Sequence, residues 1–101
     1  MNLPKVNVKI GKLEHELMKN LFESVFLKTP VEGWQLETYI ISNLFYKRMQ
    51  FFLVSPFTGK KKELNFSMTM IEAIAFNAYF GATSGSYNVF LRMKIEPQLK
   101  M

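Results

Sequence analysis

The first regular pattern of apolar and polar residues in the chain is a strict alternation. Val6, Val8 and Ile10 lie on one side, and polar residues lie between them. Because successive side chains of a strand point to opposite faces, this pattern predicts a half-buried β-strand over Lys5–Ile10. Gly11 follows directly, and we expect the strand to end there.

After the glycine, the apolar residues change to spacings of three and four, which is the period of one face of an α-helix. The predicted helix begins at Lys12 and ends near Lys28, because Pro30 disfavours helical geometry in the residue before it. The residues of this apolar face are Leu13, Leu17, Met18, Leu21, Phe22, Val25 and Phe26. We expect the face to pack on the core.

The segment that begins at Thr29 fits two interpretations. Thr29, Pro30 and Glu32 have the spacing of a capping box, which favours a second helix. Residues 34–41, with the sequence WQLETYII, alternate in polarity and are rich in β-forming residues, which favours a turn followed by a strand. We expect the strand, and a helix within residues 30–44 remains the alternative.

Two further strands are predicted in the middle of the chain. Residues 45–56, with the sequence FYKRMQFFLVSP, alternate in polarity, and a glycine-containing loop follows them. Residues 62–68, with the sequence KELNFSM, then return as a strand with Leu64, Phe66 and Met68 on the core side. This pair is expected to form a hairpin.

A further helix is predicted over residues 69–80. Thr69 and Glu72 form a capping-box signature at its start, and Gly81 is a natural C-terminal stop. Apolar residues occupy almost every face, and such a helix either lies at the centre of its own core or packs against another chain. The residues proposed for a protein interface are Ile71, Ile74, Phe76, Tyr79 and Phe80.

A last strand is predicted over residues 87–97, with the sequence YNVFLRMKIEP. Its inward residues are Tyr87, Val89, Leu91, Met93 and Ile95. The order of elements is then β-α-(β or α)-β-β-α-β. It predicts a single α+β domain over residues 1–101, with a mainly antiparallel sheet and two or three helices.

The residues that carry chemistry are few. The chain has no cysteine, which excludes disulfides, thiol catalysis and thiolate metal sites. Its one histidine, His15, lies between Glu14 and Glu16 on the polar side of the first predicted helix, where we expect it to be solvated. Without a base for a nucleophile, we expect no enzyme activity, and we expect neither a cofactor nor a metal site.

The chain is basic, with 13 Lys and Arg against 8 acidic residues and a net charge of +5. If the strands pair as predicted, outward cations and aromatic rings share one sheet face and an adjacent loop. Proteins that bind single-stranded nucleic acid use this combination. The candidate face consists of Lys5, Lys9, Tyr46, Arg48, Phe52, Lys60, Lys61, Lys62, Phe90, Arg92 and Lys94. Lysines on exposed strands also serve simply to keep a sheet soluble.

The segment TPVEGWQL, residues 29–36, resembles a motif of small bacteriophage head-tail connection and tail-completion proteins, in which T-P-V-D-T-G-x-L follows a long helix. Four positions match, Glu32 stands in for the aspartate, and Gly33 and Trp34 depart from the pattern. The matching residues are Thr29, Pro30, Val31 and Leu36. Residues 79–92 are similar to the family's later F-G-T-S and F-L-R elements. The resemblance implies a turn directly into a strand at Trp34, and a virion protein that assembles into a ring or collar without an active site.

Together these observations favour a non-enzymatic assembly or interaction protein, as a structural component of a phage virion. Its expected partner is another protein or a second copy of itself. A small basic protein that binds single-stranded nucleic acid is the alternative, and a phage-encoded inhibitor of a host protein is the third hypothesis. No apolar run reaches the roughly 18 residues that span a bilayer, so we expect no membrane partner and a location in the host cytoplasm or the virion.

Overall fold

The computed structural model describes residues 5–27, 33–54 and 62–99. Within these ranges the chain forms a two-stranded sheet and six helices. The strands are β1 (Lys5–Ile10) and β2 (Leu64–Thr69), and the helices are α1 (Lys12–Leu27), α2 (Gln35–Lys47), α3 (Met49–Leu53), α4 (Met70–Thr83), α5 (Gly85–Phe90) and α6 (Arg92–Leu99). The fold is therefore mainly helical.

Strands β1 and β2 pair antiparallel, with Val6 opposite Met68 and Val8 opposite Phe66. These four residues and Ile10 are buried, whereas the residues between them are more exposed. Both strands are predicted by the sequence and both are confirmed. Strict alternation is a local property of the sequence. Only an extended chain places alternate side chains on the same face, where they are buried together.

Helix α4 begins at the capping box that the sequence predicts. The Thr69 hydroxyl accepts a hydrogen bond from the Glu72 N–H at 3.2 Å, and the Glu72 carboxylate accepts one from the Thr69 N–H at 2.9 Å. The expected stop at Gly81 is wrong, because helical hydrogen bonding continues to Ser84, whose N–H donates to the Phe80 carbonyl at 2.8 Å. The helix therefore runs past the glycine into the next turn.

An aromatic cluster in the core joins α1, α2, α3, α4 and β2. The ring of Phe22, on α1, lies 4.9 Å from the ring of Phe52. The rings of Phe45 and Phe76 each lie 5.5 Å from it, and Phe66 packs 5.4 Å from Phe52. Aromatic pairs prefer such tilted contacts, and burial of each Phe stabilises the fold by about 1.5 to 3 kcal/mol. The apolar face predicted for α1 thus supplies the centre of the core from Met18 onward, whereas Leu13 at its start is exposed, so the expectation is wrong there.

The expected α+β fold, with a mainly antiparallel sheet and two or three helices, is wrong. Among the described residues the sheet consists of β1 and β2 alone, and six helices form most of the structure. The difference arises in residues 34–54 and 87–97, where the sequence predicts strands.

Residues 34–54 form α2 and α3. The buried residues of α2 are Thr38, Ile41, Leu44 and Phe45, at the spacing of a helix face. An alternating strand places Leu36 on the same side as Thr38, but Leu36 is exposed. Packing of the helical face on the core outweighs the β propensity of the segment. The helical alternative is confirmed from Gln35 onward, and the capping box predicted at residues 29–32 lies outside the described residues.

Residues 87–97 form most of α5 and most of α6. Tyr87, Leu91 and Ile95 are buried, and their spacing of four fits one side of a strand and one face of a helix equally well. Val89 and Met93, which a strand would bury beside them, are exposed. The prediction of a strand was wrong because this spacing does not distinguish the two periods.

Helix α6 covers the outer edge of β1. The Gln98 Oε1 accepts a hydrogen bond from the Asn7 N–H at 3.0 Å, and the Gln98 Nε2 donates to the Asn7 carbonyl at 2.8 Å. The Lys94 ammonium donates to the Lys9 carbonyl at 2.9 Å. These side chains occupy backbone groups that a third strand would otherwise bind. The sheet therefore ends at β1.

The resemblance of residues 29–36 to tail-completion proteins implies a strand from Trp34. Helix α2 begins at Gln35 instead, and only residues 33–36 of the segment are described. Gly33 has a φ of 95°, a conformation that favours glycine. The implied strand is wrong, and the resemblance itself stays a prediction that rests on the sequence.

Candidate interaction surfaces

The outward side of α4 exposes an uncharged row of residues. Ile71 is 67% exposed and Ile74 is 48% exposed, although both side chains are large and apolar. Ala78 and Ala82 follow at spacings of four and are also exposed. Spacings of three and four keep all these residues on one face of the helix. We refer to Ile71, Ile74, Ala78 and Ala82 as the α4 stripe.

Three of the five residues predicted for a protein interface lie in the core. Phe76, Tyr79 and Phe80 are buried on the opposite side of α4, where the Phe76 and Phe80 rings lie 4.7 Å apart. Ile71 and Ile74 are exposed. One side of this apolar helix therefore belongs to its own core, and the other side faces solvent.

The only charged residue of α4, Glu72, lies away from the α4 stripe. Its carboxylate is buried, and the Lys47 ammonium lies 2.7 Å from it. Burial alone would raise the pKa of the Glu72 carboxyl, but hydrogen bonds from Lys47 and the Thr69 N–H outweigh this and lower the pKa. The charge of Glu72 is thus compensated within the fold, and the stripe stays neutral.

Helix α2 packs antiparallel along α4 and carries a second exposed row. At one end of the pair Lys47 contacts Glu72, and at the other the Trp34 ring lies 5.7 Å from the Tyr79 ring. The exposed residues on the outward side of α2 are Leu36, Tyr39, Asn43 and Tyr46, spaced by three, four and three. We refer to them as the α2 stripe, and to the two stripes together as the outward face.

The α2 stripe was missed by the sequence analysis. A strand over residues 34–41 places Leu36 and Tyr39 on opposite sides, whereas a helix places them on the same side. The spacing of three, four and three between Leu36 and Tyr46 is the pattern that indicates this face.

The residues predicted for a nucleic-acid face do not form one surface, because most of the strands that were to align them are helices. The residues placed on helices or helix ends are Tyr46, Arg48, Phe52, Phe90, Arg92 and Lys94, whereas Lys5 and Lys9 lie on β1. Phe52 is buried in the core, so its ring is not available to stack on a base. Lys62 is exposed, and Lys60 and Lys61 lie outside the described residues.

Some of the basic residues meet at a cleft of about 360 Å³ beside the outer edge of β2. The cleft is lined by Lys5, Leu44, Lys47, Arg48, Ser67, Met68, Thr69 and Glu72. Arg48 donates to the Ser67 carbonyl at 3.2 Å, and its guanidinium lies 5.7 Å from the centre of the Phe66 ring. Because Lys47 also pairs with Glu72, much of the positive charge here serves contacts within the fold.

The remaining described cations near α6 are paired with acidic residues. The Lys94 ammonium lies 3.3 Å from the Glu14 carboxylate, and Arg92 pairs with Glu96 one turn further along α6. Partial burial opposes ionisation of Glu14, but the Gly11 N–H and Lys94 lower the pKa of its carboxyl. The hydrogen bond to Glu96 raises the pKa of the Arg92 guanidinium. These cations therefore offer less charge to an external phosphate than the sequence suggests.

His15 is buried, and the expectation of a solvated histidine is wrong. Its Nε2 lies 2.7 Å from the Phe51 carbonyl oxygen, which only accepts, so Nε2 carries the hydrogen. The ring also stacks on Phe52, with centroids 5.6 Å apart. The missed signal is its position three residues before Met18 and seven before Phe22, on the buried face of α1.

Within residues 5–27, 33–54 and 62–99, no cluster of three or more side chains suited to metal binding is found. In the same ranges, no helix has the length and apolar character needed to cross a membrane. Comparisons with models of protein families, with curated proteins and with solved structures found no match. The surface of the molecule is therefore the basis for a functional proposal.

Proposed function

We propose that this protein is a non-enzymatic assembly protein that associates with further copies of itself through the outward face. The observation that carries the proposal is the exposure of Ile71 and Ile74 on a helix whose outward row holds no charge. Exposed apolar side chains in rows on two neighbouring helices are typical of protein contact sites. Its burial against another molecule is favourable by about 25 cal/mol per Å² of apolar surface.

The outward face is large enough to form the centre of a specific contact. Helices α2 and α4 have 13 and 14 residues, which gives each a length of about 20 Å. Packed helices lie about 8 to 10 Å apart, so the face extends over two helix widths. A standard interface takes about 800 Å² from each partner, roughly an eighth of the 6724 Å² surface of this chain. The outline of a two-helix face of this length and width is about 320 to 400 Å², so residues around the two stripes supply the rest of such a contact.

Charge favours this face over the rest of the surface for contact between identical copies. Each copy carries a net charge of +5, so two copies repel wherever their basic surfaces meet. The α4 stripe has no charge, and Lys47, the last residue of α2, is paired with Glu72. Association through the outward face therefore buries no charged residue of either stripe.

The test is sedimentation equilibrium of the wild type and of Ile74→Glu over a range of concentrations. We expect the wild type to associate reversibly, and the variant to associate at least about tenfold more weakly, or 1.4 kcal/mol, because a carboxylate would be buried without a partner. Val89→Glu is the matched control, since Val89 is a comparably exposed apolar residue on α5. A wild type that remains monomeric, or equal weakening by both substitutions, would contradict the proposal.

A second candidate function, binding of a single-stranded nucleic acid, is supported by the basic cleft of Lys5, Lys47 and Arg48. Phosphate contacts of this kind weaken steeply as salt rises. Titration of a labelled single strand at two salt concentrations, with Arg48→Ala as the comparison, tests it. Absence of binding at low salt would remove this candidate.

A further inference from the structure

We infer that the contact between copies is a closed two-fold dimer, in which α4 packs antiparallel on α4 of the second copy and α2 packs antiparallel on α2. The inference rests on the proposed self-association and adds its geometry. Three features of the outward face support it: the order of side-chain sizes on α4, the spacing on α2, and the alignment of the two helices.

Side-chain size changes along the α4 stripe. The large residues Ile71 and Ile74 lie in the N-terminal half, and the small residues Ala78 and Ala82 lie in the C-terminal half. In an antiparallel pair, Ile71 lies opposite Ala82 of the second copy, and Ile74 lies opposite its Ala78. Each large side chain then fits over a small one, which allows close packing along the whole helix. A parallel pair places isoleucine on isoleucine and leaves the alanine ends apart.

The α2 stripe has the same spacing in both directions. Leu36, Tyr39, Asn43 and Tyr46 are separated by three, four and three residues. A two-fold axis that passes the middle of this row places Leu36 opposite Tyr46 and Tyr39 opposite Asn43 of the second copy. The same residues therefore meet at both ends, as an isologous contact requires.

The α4 stripe and the α2 stripe are aligned so that one two-fold axis can relate both of them to the second copy. The middle of the α4 stripe is level with Phe76, and the middle of the α2 stripe is level with Ile41. Within one copy, the contacts of Lys47 with Glu72 and of Trp34 with Tyr79 lie towards opposite ends of the helix pair, so the middle of α2 lies beside the middle of α4. One two-fold axis can therefore pass the middle of both rows.

A two-fold contact of this kind closes on itself. Both copies use the same patch, so no second outward face remains for a further copy. The dimer is therefore the end state, in contrast to the ring or collar that the resemblance to tail-completion proteins implies. The number of copies in the assembly separates these two possibilities.

The absence of cysteine from the chain allows a direct test by disulfide formation. Ile74→Cys and Ala78→Cys variants, one labelled with ¹⁵N, are mixed and oxidised mildly. We expect the mixed disulfide to form roughly ten times faster than either variant links to itself, because only that pair approaches the Cα separation of about 4.4 to 6.8 Å that a disulfide needs. Val89→Cys is the exposed control. Circular dichroism of each variant confirms that it is folded.

The outcomes distinguish the inference from the function on which it rests. A wild type that stays monomeric in sedimentation overturns both. Association beyond a dimer, or a dimer in which Ala78→Cys links to itself as fast as to Ile74→Cys, overturns the two-fold geometry and leaves the proposed assembly intact. A dimer with the mixed disulfide predominant supports both.

Discussion

At the scale of single residues, the polar side chains buried in the described part of the chain are held by specific partners. His15 binds the Phe51 carbonyl and so connects α1 with α3. Glu72 binds both the Lys47 ammonium and the Thr69 N–H at the end of β2. Buried polar groups of this kind cost free energy unless they are paired, and each pairing here joins two elements.

The lowered pKa of Glu72 predicts how stability depends on pH. The fold favours the carboxylate, so its contribution is present above the unfolded pKa of 4.5 and is lost as the pH falls through the lower folded pKa. We expect Glu72→Gln to lower the free energy of unfolding at neutral pH by about 1 kcal/mol, and to flatten its loss below about pH 5.

Urea denaturation at several pH values measures this effect. Glu16→Gln is the control, because Glu16 is exposed on α1. If Glu72→Gln and the wild type lose stability in parallel as the pH falls, the pairing of Glu72 with Lys47 does not contribute as described.

At the scale of elements, the contact between α6 and β1 decides where the sheet ends. The Gln98 amide binds the N–H and the carbonyl of Asn7, as a neighbouring strand would. Free strand edges are sites of unwanted pairing between chains. A helix with a single well-placed amide protects the edge without adding a strand.

Gln98→Ala should expose this edge. We expect hydrogen exchange at the Asn7 amide to become faster and the free energy of unfolding to fall by about 1 kcal/mol, the usual contribution of a hydrogen bond. Exchange followed by NMR measures the first effect. Gln50→Ala, at an exposed position on α3, is the control, and unchanged exchange at Asn7 in Gln98→Ala would show that α6 does not protect the edge.

At the scale of the whole molecule, the balance between net charge and the neutral outward face governs association. Copies with a charge of +5 repel one another at long range, and salt screens this repulsion. We expect the proposed dimer to become a few fold tighter as salt rises. Nucleic-acid binding responds in the opposite direction.

Sedimentation at low and high salt therefore separates the two candidate functions with one variable. Association that weakens as salt rises would show that attraction between unlike charges, rather than burial of the outward face, holds the copies together. The Ile74→Glu variant, measured in the same series, shows whether any salt effect acts through the α4 stripe.

Two of the eight residues of the outward face were accessible from the sequence. Ile71 and Ile74 were predicted for an interface, because α4 has more apolar residues than one core-facing side requires. The α2 stripe was not predicted, because assignment of residues 34–41 to a strand separated its members. Knowledge of the helix alone would have placed Leu36 and Tyr39 together.

The sequence by itself determined β1, α1, β2 and the start of α4. Strict alternation, spacing by three and four, and the capping box of Thr69 and Glu72 are local properties that need no distant contact. The tertiary structure alone decided that residues 34–54 and 87–97 are helical. In residues 87–97 the spacing of four fits both a strand and a helix. In residues 34–54 the packing of a helical face on the core outweighs β propensity. It also decided which side of α4 stays exposed, since that depends on how many neighbouring helices the fold brings against it.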